Sequence, residues 1–379
     1  MCTGRLHGVK TLLVTNDFPP RPGGIQQFVH NLALRLPPDE VVVYASSWRG
    51  KEAFDAEQPY EVIRDDTSML LPTPAVARRV QELARSRGCD RVLFGATAPL
   101  GLLAHGLRDK AGIERAVGLT HGHEAGWAAL PGARATLRRI ARGCDVVTYL
   151  GEYFRRRLEP AIGSLTELRR LAPGVDVDAY HPGVDGSDVR KRYDLRDRPV
   201  IVCISRLVPR KGQDTLVRAM PHILRKVPDA ALLIVSGGPH RAALERLARE
   251  CGVAGSVTFT GGVDWEELPA HYAAGDVFAM PCRTRWGGLD VEGLGIVYLE
   301  ASATGLPVIA GDSGGAPDAV LEGQTGYVVG DLTTLVDRLV DLLTDEQLAR
   351  RMGAAGRAWI EREWRWDLQA QRLRELLLA

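Results

Sequence analysis

Short apolar segments alternate with longer helical patterns along most of the chain. The segments are rich in Val, Ile and Leu and are apolar throughout, whereas a half-exposed strand would alternate apolar and polar residues. They occupy residues 11–15, 41–46, 91–96, 116–121, 145–150, 199–205, 231–237, 256–261, 276–281, 307–311 and 325–330. Strands of this kind are typical of parallel sheets covered by helices on both faces. Two such series predict an α/β protein with two doubly wound, Rossmann-like domains.

A cluster of Gly, Pro and Asp at residues 172–182 (APGVDVDAYHP) predicts the boundary between the domains. We expect a first domain over residues 1–172 and a second over residues 173–361, each large enough to bury its own core. Residues 359–378 have a helical pattern but no strand to pair with. A C-terminal helix, from about 362 to 379, is therefore expected to pack back on the first domain.

The charge is balanced overall but not along the chain. The 48 basic and 47 acidic residues give a net charge of +1, which argues against a nucleic-acid-binding protein that works by bulk charge. Residues 1–172 carry 24 basic and 18 acidic residues, whereas residues 173–379 carry 24 and 29. The first half, with a net charge of +6, is the one expected to meet an anionic partner.

No segment of the sequence predicts a membrane span or a leader peptide. The apolar runs are far shorter than the roughly 18–20 residues that cross a bilayer, and the run at 11–15 is too short for the apolar core of a signal peptide. The cysteines lack metal-binding spacing and are expected to be buried in a reducing compartment. They are Cys2, Cys89, Cys144, Cys203, Cys251 and Cys282. A cytoplasmic protein is expected, with contact to a membrane surface left open.

The loops that follow the strands are the candidate sites, because open parallel sheets bind ligands at the carboxyl ends of their strands. After the first strand, Gly23 and Gly24 precede a helix, whose free N–H groups and dipole favour an anion. The pattern is not G-x-G-x-x-G, and no acidic residue ends a strand about twenty positions further on, so nicotinamide binding is disfavoured. A plain tight turn is the alternative.

Two cations follow the first strand of the second half. Arg206 closes the strand, and Lys211 lies just before Gly212 and the next helix. A planar guanidinium and an ammonium at a strand-to-helix turn suit a diphosphate. A solvated loop with incidental charges is the alternative.

The most specific pattern is a pair of glutamates, Glu292 and Glu300, which encloses the segment GLGIVYL. Gly293 and Gly295 allow the backbone to approach a phosphate at a helix N-terminus. A carboxylate beside that anion is unfavourable unless it binds a ligand with hydroxyl groups. The combination therefore predicts a sugar nucleotide.

Two further patterns could suggest metal sites. His121 ends a strand and is followed by His123 and Glu124, but the sequence offers no further ligand at a suitable spacing, so a metal is disfavoured. A lone histidine at a strand end is usually structural, but because the three other loops are expected to converge on one cleft, His121 is expected to contact a sugar. Asp176 and Asp178 form a D-x-D pattern, but it lies in the interdomain segment, so these residues are expected in a turn. Neither a metal nor another cofactor is expected.

Together these motifs resemble the retaining family-four glycosyltransferases of GT-B fold. The resemblance covers nearly the whole chain and rests on the Gly-Gly loop, the strand-end His, PGVD at the domain boundary, SRLVPRKG and the Glu-x7-Glu pattern. Longer strings, including VTNDFPPRPGGIQ, THGHEAGWAALPG, FAMPCRTR and GGLDVEGLGIVYLEA, are similar to the actinobacterial mannosyltransferases that add the second mannose to phosphatidylinositol monomannoside. The resemblance implies two Rossmann-like domains that face a central cleft.

The same resemblance implies the reaction and its catalytic residues. Mannose would pass from GDP-mannose to phosphatidylinositol monomannoside, with retention and without a metal, giving the dimannoside. Arg206 and Lys211 would bind the donor diphosphate, and Glu292 would bind the mannose hydroxyls. His121 would contact the sugar and stabilise the transition state.

The resemblance also implies further binding residues. Glu300 would hold the ribose hydroxyls, and Asp264 would accept hydrogen bonds from guanine. The other expected donor contacts are Gly23, Gly24, Val263, Gly293, Leu294, Gly295, Ile296 and Val297. Asp17 and Gln26 would lie near the acceptor. Trp286 is a departure, because relatives carry small residues in its loop.

A lipid acceptor implies access to a bilayer. Arg134, Arg138 and Arg142 repeat every four residues and form one stripe on a predicted helix, with Leu137 and Ile140 alongside. Basic and apolar residues on one surface suit anionic lipid headgroups, which predicts peripheral association with the inner face of the cell membrane. A solvated helix face is the alternative.

Three other functions stay open at this point. A family-four transferase could use another nucleotide sugar or a soluble acceptor, and a non-catalytic sugar-nucleotide-binding module could have the same fold. The third, a nicotinamide dehydrogenase, lacks its fingerprint. The complete set of Arg206, Lys211, Glu292, Glu300 and His121 disfavours the non-catalytic module.

Overall fold

The structure is a computed structural model that describes residues 9–379. It forms two compact units, the first comprising residues up to Pro173 together with Trp366–Ala379, and the second Gly174–Arg365. Each unit is built on a parallel sheet, with seven strands in the first and six in the second. The predicted α/β class with two Rossmann-like domains is confirmed.

The first unit has a doubly wound strand order. Its strands are β1 (Thr11–Thr15), β2 (Val41–Ala45), β3 (Glu61–Arg64), β4 (Arg91–Phe94), β5 (Arg115–Gly118), β6 (Val146–Tyr149) and β7 (Glu167–Arg170). Its helices before the second unit are α1 (Gly24–Ala33), α2 (Lys51–Ala56), α3 (Pro74–Arg87), α4 (Ala104–Ala111), α5 (Glu124–Ala129), α6 (Pro131–Gly143) and α7 (Glu152–Ile162). The order across the sheet is β3-β2-β1-β4-β5-β6-β7. It reverses between β1 and β4, and ligands bind at such switch points in open α/β sheets.

The second unit repeats this arrangement. Its strands are β8 (Val200–Ile204), β9 (Ala231–Val235), β10 (Val257–Gly261), β11 (Val277–Met280), β12 (Val308–Gly311) and β13 (Gly326–Val329). Its helices are α8 (Ser187–Arg192), α9 (Gln213–Leu224), α10 (Arg241–Glu250), α11 (Leu268–Ala273), α12 (Ile296–Ala303), α13 (Leu332–Thr344) and α14 (Glu346–Glu363). Short 3₁₀ turns lie at Pro38–Glu40, Leu100–Leu103, Pro209–Lys211, Ala254–Ser256, Trp265–Glu267, Trp286–Gly288 and Ala316–Ala319. The order β10-β9-β8-β11-β12-β13 reverses between β8 and β11.

Two strands were not predicted from the sequence, and both lie at the edges of the first sheet. β3 has the sequence EVIR and β7 the sequence ELRR, and none of their residues is fully buried. An edge strand has one neighbour and keeps polar side chains in water, so it lacks a continuous apolar run. The central strands, such as β1 and β8, are buried at every position, which is why the apolar runs revealed them.

The C-terminal helix, α15 (Trp366–Leu378), belongs to the first unit, as the sequence predicted. It packs against α1 and β5, and the Trp366 ring lies 6.1 Å from that of Phe28 and 4.9 Å from the Arg35 guanidinium. The helical stretch is not continuous, because α14 ends at Glu363 and the chain then pairs with Val175 through Trp364 and Arg365.

The apolar residues of α6 do not lie beside its arginines on the surface, and that part of the prediction was wrong. Leu137 and Ile140 are fully buried in the core of the first unit. Burying a side chain of this size stabilises the fold by about 1.5–3 kcal/mol, so both face inwards. Within residues 9–379, no helix combines the length and apolarity needed to cross a membrane.

The cysteines are mostly buried thiols. Cys89, Cys144, Cys203 and Cys282 are buried and Cys251 is partly exposed. Cys2, which was expected to be buried, lies outside the described residues.

Candidate active site

The two loops at the switch point of the second unit contain the residues that were predicted to bind the phosphates and the sugar. The loop after β8 contains Arg206 and Lys211, and the loop after β11 contains Glu292. Because β8 and β11 are neighbours in the sheet, these loops leave the same edge side by side.

Lys211 and Glu292 form an ion pair. Lys211 Nζ lies 2.8 Å from Glu292 Oε2, and the two side chains are only 13% and 8% exposed. The structure therefore brings together a cation that suits a phosphate and a carboxylate that suits hydroxyl groups. Each neutralises the other at a position where an isolated charge would be costly.

Arg206 is exposed, and its backbone is held by a buried amide side chain. Gln213, which is fully buried, donates from Nε2 to Ser205 Oγ at 2.8 Å and to the Arg206 carbonyl at 3.1 Å. Gly212 has a φ of +78°, and a Cβ there would lie 2.0 Å from the Pro281 carbonyl oxygen, so a larger residue does not fit. Gln213 was not singled out from the sequence, although its place directly after the Lys-Gly pair was a signal.

The loop that follows Glu292 leads into the N-terminus of α12. Gly295 caps this helix with a φ of +78°, and a Cβ there would collide with the Tyr298 ring. The first N–H groups of a helix have no partner within the helix and favour an anion. The predicted amide-bearing residues are Gly293, Leu294, Gly295, Ile296 and Val297, and they all lie in this turn.

Glu300 lies inside α12 and is 5% exposed. Tyr272, on α11, donates its hydroxyl hydrogen to Glu300 Oε2 at 2.7 Å. Burial disfavours the charged carboxylate and raises the pKa of Glu300 to about 7, although the hydrogen bond from Tyr272 opposes this effect. The contact with Tyr272 could not be inferred from the sequence, because the two residues are 28 positions apart.

Val263 and Asp264, the predicted base-contacting residues, follow β10 at the edge of the second sheet. Val263 is partly buried and Asp264 is exposed. One strand, β9, separates β10 from β8. No described contact joins these two residues to Lys211 or Glu292.

In the first unit, the loop after β1 brings the two predicted acceptor residues together. Gln26 Nε2 donates to Asp17 Oδ1 at 2.7 Å, and Gln26 is 7% exposed. Gly23 and Gly24 are exposed at the start of α1. Gly23 has a φ of +155°, which residues with a Cβ rarely adopt, and a Cβ there would also displace the Gln26 side chain.

His121 lies in the loop after β5 and is fixed by its surroundings. Its Nε2 donates to the Gly95 carbonyl at 2.5 Å, and its ring meets the Phe28 ring edge-on at 5.8 Å. Burial lowers the pKa of His121, so the ring is neutral at pH 7, with the proton on Nε2 and an acceptor at Nδ1.

Glu124 ties this loop together and is fully buried. Its Oε2 accepts hydrogen bonds from the backbone N–H groups of His121 at 3.0 Å and Gly122 at 3.2 Å, and Oε1 lies 3.1 Å from His123 Nε2. The sequence showed Glu124 only as part of a possible metal pattern. Its role in holding the His121 backbone was missed.

Across residues 9–379, no group of three His, Cys, Asp or Glu side chains is arranged to hold a metal ion. Asp176, of the D-x-D pattern, accepts hydrogen bonds at Oδ1 from the backbone N–H groups of Asp178 and Ala179, at 3.1 and 3.0 Å. These contacts close a local turn.

The predicted arginine stripe lies on α6. Arg134 and Arg142 are exposed and Arg138 is partly exposed. Arg134 also donates to the Ala128 carbonyl at 2.6 Å, and Arg138 to the Ala161 carbonyl at 3.3 Å. The exposed face of α6 therefore carries arginines, and the apolar side chains Leu137 and Ile140 lie on the buried face.

Comparison with known proteins identifies the class. Residues 22–179 match the family model "Glycosyltransferase Family 4" and residues 187–359 match "Glycosyl transferases group 1". HepE from Anabaena, solved in complex with UDP, superimposes with a TM-score of 0.83 over 97% of this chain and 99% of its own, at 19% identity. The fold is the GT-B fold, and the class is that of the GT-B glycosyltransferases.

Two relatives narrow this class. The GDP-mannose-dependent alpha-(1-6)-phosphatidylinositol monomannoside mannosyltransferase of Mycolicibacterium smegmatis is 52% identical over 97% of this chain and 97% of its own length. The corresponding Corynebacterium glutamicum protein, named for the monoacylated acceptor, is 48% identical over 97% of both. The chain belongs to this family of mannosyltransferases.

Proposed function

We propose that this protein transfers mannose from GDP-mannose to phosphatidylinositol monomannoside, with retention of configuration, and so forms the dimannoside. The observation that carries the proposal is the Lys211–Glu292 ion pair, 2.8 Å long, at the turn that leads into α12. A sugar nucleotide presents a phosphate next to a hydroxyl-bearing ring, and this pair offers one partner for each. The names of relatives 52% identical support the choice of GDP and mannose.

The donor roles follow from the chemistry of each group. Arg206 and Lys211 bind the diphosphate, because two cations offset its charge. Glu292 binds the mannose hydroxyls, and Glu300 accepts hydrogen bonds from the ribose hydroxyls. The remaining donor contacts are assigned to Gly23, Gly24, Val263, Asp264, Gly293, Leu294, Gly295, Ile296 and Val297.

Residues of the first unit would serve the sugar and the acceptor. His121 is neutral and has an acceptor at Nδ1, so it can accept a hydrogen bond from a sugar hydroxyl. It can also stabilise the positive charge that develops on the sugar ring in the transition state. Asp17, held by Gln26, is assigned to the acceptor.

In the proposed reaction the bond from mannose C1 to the departing phosphate oxygen breaks, and a bond from C1 to an acceptor hydroxyl oxygen forms. The hydroxyl proton passes to the departing phosphate on the same face of the sugar, which gives retention without a carboxylate nucleophile. Classical retention uses such a nucleophile, but Glu292 is assigned to the hydroxyls. Arg206 and Lys211 stabilise the charge on the leaving group and take the place of a metal, so we expect turnover to survive EDTA.

We further propose that the basic face of α6, formed by Arg134, Arg138 and Arg142, lies against anionic lipid at the inner face of the cell membrane. Co-sedimentation with phosphatidylinositol vesicles tests this. Binding should fall as salt is raised and should weaken when all three arginines are replaced by Gln. Salt-insensitive binding, or none, would contradict it.

Product analysis tests the reaction itself. The protein is incubated with GDP-mannose and phosphatidylinositol monomannoside, and mass spectrometry should find a lipid heavier by one hexose. UDP- and ADP-sugars, and a water-soluble acceptor, are the parallel reactions. A faster reaction with any of these would replace the proposed substrate, and no transfer with any of them would favour a non-catalytic module.

A further inference from the structure

Arg210 connects the two loops that carry Lys211 and Glu292. Its NH1 group donates to the Val291 carbonyl at 2.8 Å, and its Nε lies 3.4 Å from Asp290 Oδ1. Its own carbonyl accepts a hydrogen bond from the Arg283 backbone N–H at 2.8 Å. Arg210 alone, in the loop after β8, therefore contacts both the beginning and the end of the loop after β11.

The positions of these contacts in the chain give them their meaning. Arg210 directly precedes Lys211, and Val291 directly precedes Glu292. The hydrogen bond from Arg210 to Val291 thus joins the two residues that directly precede Lys211 and Glu292. Each backbone segment is therefore held one residue away from its functional group.

The rest of the loop after β11 is braced in the same way. The Arg283 guanidinium forms two hydrogen bonds with Asp214, at 2.8 and 2.9 Å, at the first turn of α9. Asp290, which pairs with Arg210, also lies 3.6 Å from Arg285. By contrast, the tip of the loop is exposed, and Trp286 and Leu289 are 70% and 72% exposed. The contacts with Arg210 and Asp214 therefore lie at the base of the loop, and the exposed side chains lie at its tip.

We propose that Arg210 is a positioning residue that sets the spacing between the diphosphate-binding cation and the sugar-binding carboxylate. This inference rests on the roles proposed for Lys211 and Glu292. GDP needs only the cation side of this arrangement, whereas GDP-mannose needs both sides at the correct separation. Loss of Arg210 should therefore weaken the binding of GDP-mannose more than that of GDP.

Calorimetric titration of Arg210→Met and Arg210→Lys with GDP and with GDP-mannose tests the inference. In Arg210→Met the dissociation constant for GDP-mannose should rise about tenfold, as for loss of a charge-assisted hydrogen bond, while that for GDP changes less than about threefold. Arg210→Lys keeps the positive charge but not the planar guanidinium with its several N–H donors. Its dissociation constant for GDP-mannose should lie between those of the wild type and Arg210→Met. Arg218→Ala, an exposed arginine on α9, is the matched control and should leave both constants unchanged.

Each outcome bears on the inference. Equal weakening for GDP and GDP-mannose would show that Arg210 acts as a phosphate ligand, and no change in either constant would remove its role. If Arg210→Met does not fold, Asp290→Asn replaces it and should show the same selective effect at a smaller size. The comparison uses binding alone, so a wild type that binds GDP-mannose but transfers nothing would overturn the proposed function without deciding the role of Arg210.

Discussion

The two units have similar strand orders, but the loop after β5 in the first unit and the switch-point loops of the second unit are held in different ways. In the first unit, Glu124 accepts hydrogen bonds from two backbone N–H groups, and His121 donates a hydrogen bond to a backbone carbonyl. In the second, pairs of opposite charge join the loops, notably Lys211 with Glu292 and Arg283 with Asp214.

The difference shows how one architecture can serve two tasks. Contacts to backbone N–H and C=O groups keep an uncharged ring such as His121 in place. A loop that is held by ion pairs already contains the cations and carboxylates that a charged ligand needs. Contacts to the ligand can therefore replace the contacts within the ion pairs. Substitutions in the second unit should accordingly affect donor chemistry most.

The largest effect is expected from breaking the ion pair. Lys211→Ala and Glu292→Gln should each lower turnover at least about 100-fold, as for the loss of a transition-state contact. The two should differ in GDP binding. Lys211→Ala should weaken it, whereas Glu292→Gln should leave it intact or strengthen it, because Lys211 loses its internal partner. Steady-state kinetics and GDP titration check both points, and near-native turnover in either variant would refute the assignment.

The next effect concerns the first unit. Glu124→Ala leaves the N–H groups of His121 and Gly122 without their acceptor, which costs about 1–3 kcal/mol and should displace His121. We expect kcat to fall about 30-fold with the donor KM little changed. Glu124→Gln is the matched variant, since one amide oxygen can accept both bonds, and it should keep kcat within about threefold. A Gln variant as impaired as Ala would mean that the charge of Glu124 matters, and not its hydrogen bonds.

Much of the fold could be predicted because buried parallel strands leave continuous apolar runs in the sequence. The run at residues 11–15 matches β1, and residues 199–205 enclose β8. The strands β3 and β7 escaped because they are polar edge strands. Leu137 and Ile140 were misplaced because helical spacing shows that they share a face, but not whether that face is turned to the core or to solvent.

The candidate site was predictable where residue type and local spacing carry the chemistry, as for Lys211, Gly295 and Glu292. It was not predictable where a contact joins distant positions. Arg210 and Val291 are 81 positions apart, and Tyr272 and Glu300 are 28 apart. Such contacts depend on which strands become neighbours, and the sequence patterns show strands without their order.

A smaller effect should appear as a pH dependence of donor binding. The pKa of Glu300 is raised to about 7, so the carboxylate is mostly ionised at pH 8 and mostly protonated at pH 6. The ionised form can accept hydrogen bonds from the ribose hydroxyls, so the donor KM should rise about tenfold between pH 8 and pH 6, in step with the ionised fraction. Glu300→Gln should bind the donor more weakly at pH 8 and should lose this dependence. A wild-type KM that is flat across the range would contradict the ribose role.

The smallest effect is expected at the acceptor side of the first unit. Gln26→Ala removes the 2.7 Å hydrogen bond to Asp17 but leaves the carboxylate in place. A hydrogen bond of this kind contributes about 1 kcal/mol, so the KM for phosphatidylinositol monomannoside should rise about fivefold, with the donor KM unchanged. Gln27→Ala, at the exposed neighbouring position, is the control and should change neither constant. A rise in the donor KM alone would move Asp17 and Gln26 from the acceptor to the donor, which Gly23 and Gly24 of the same loop are already proposed to contact.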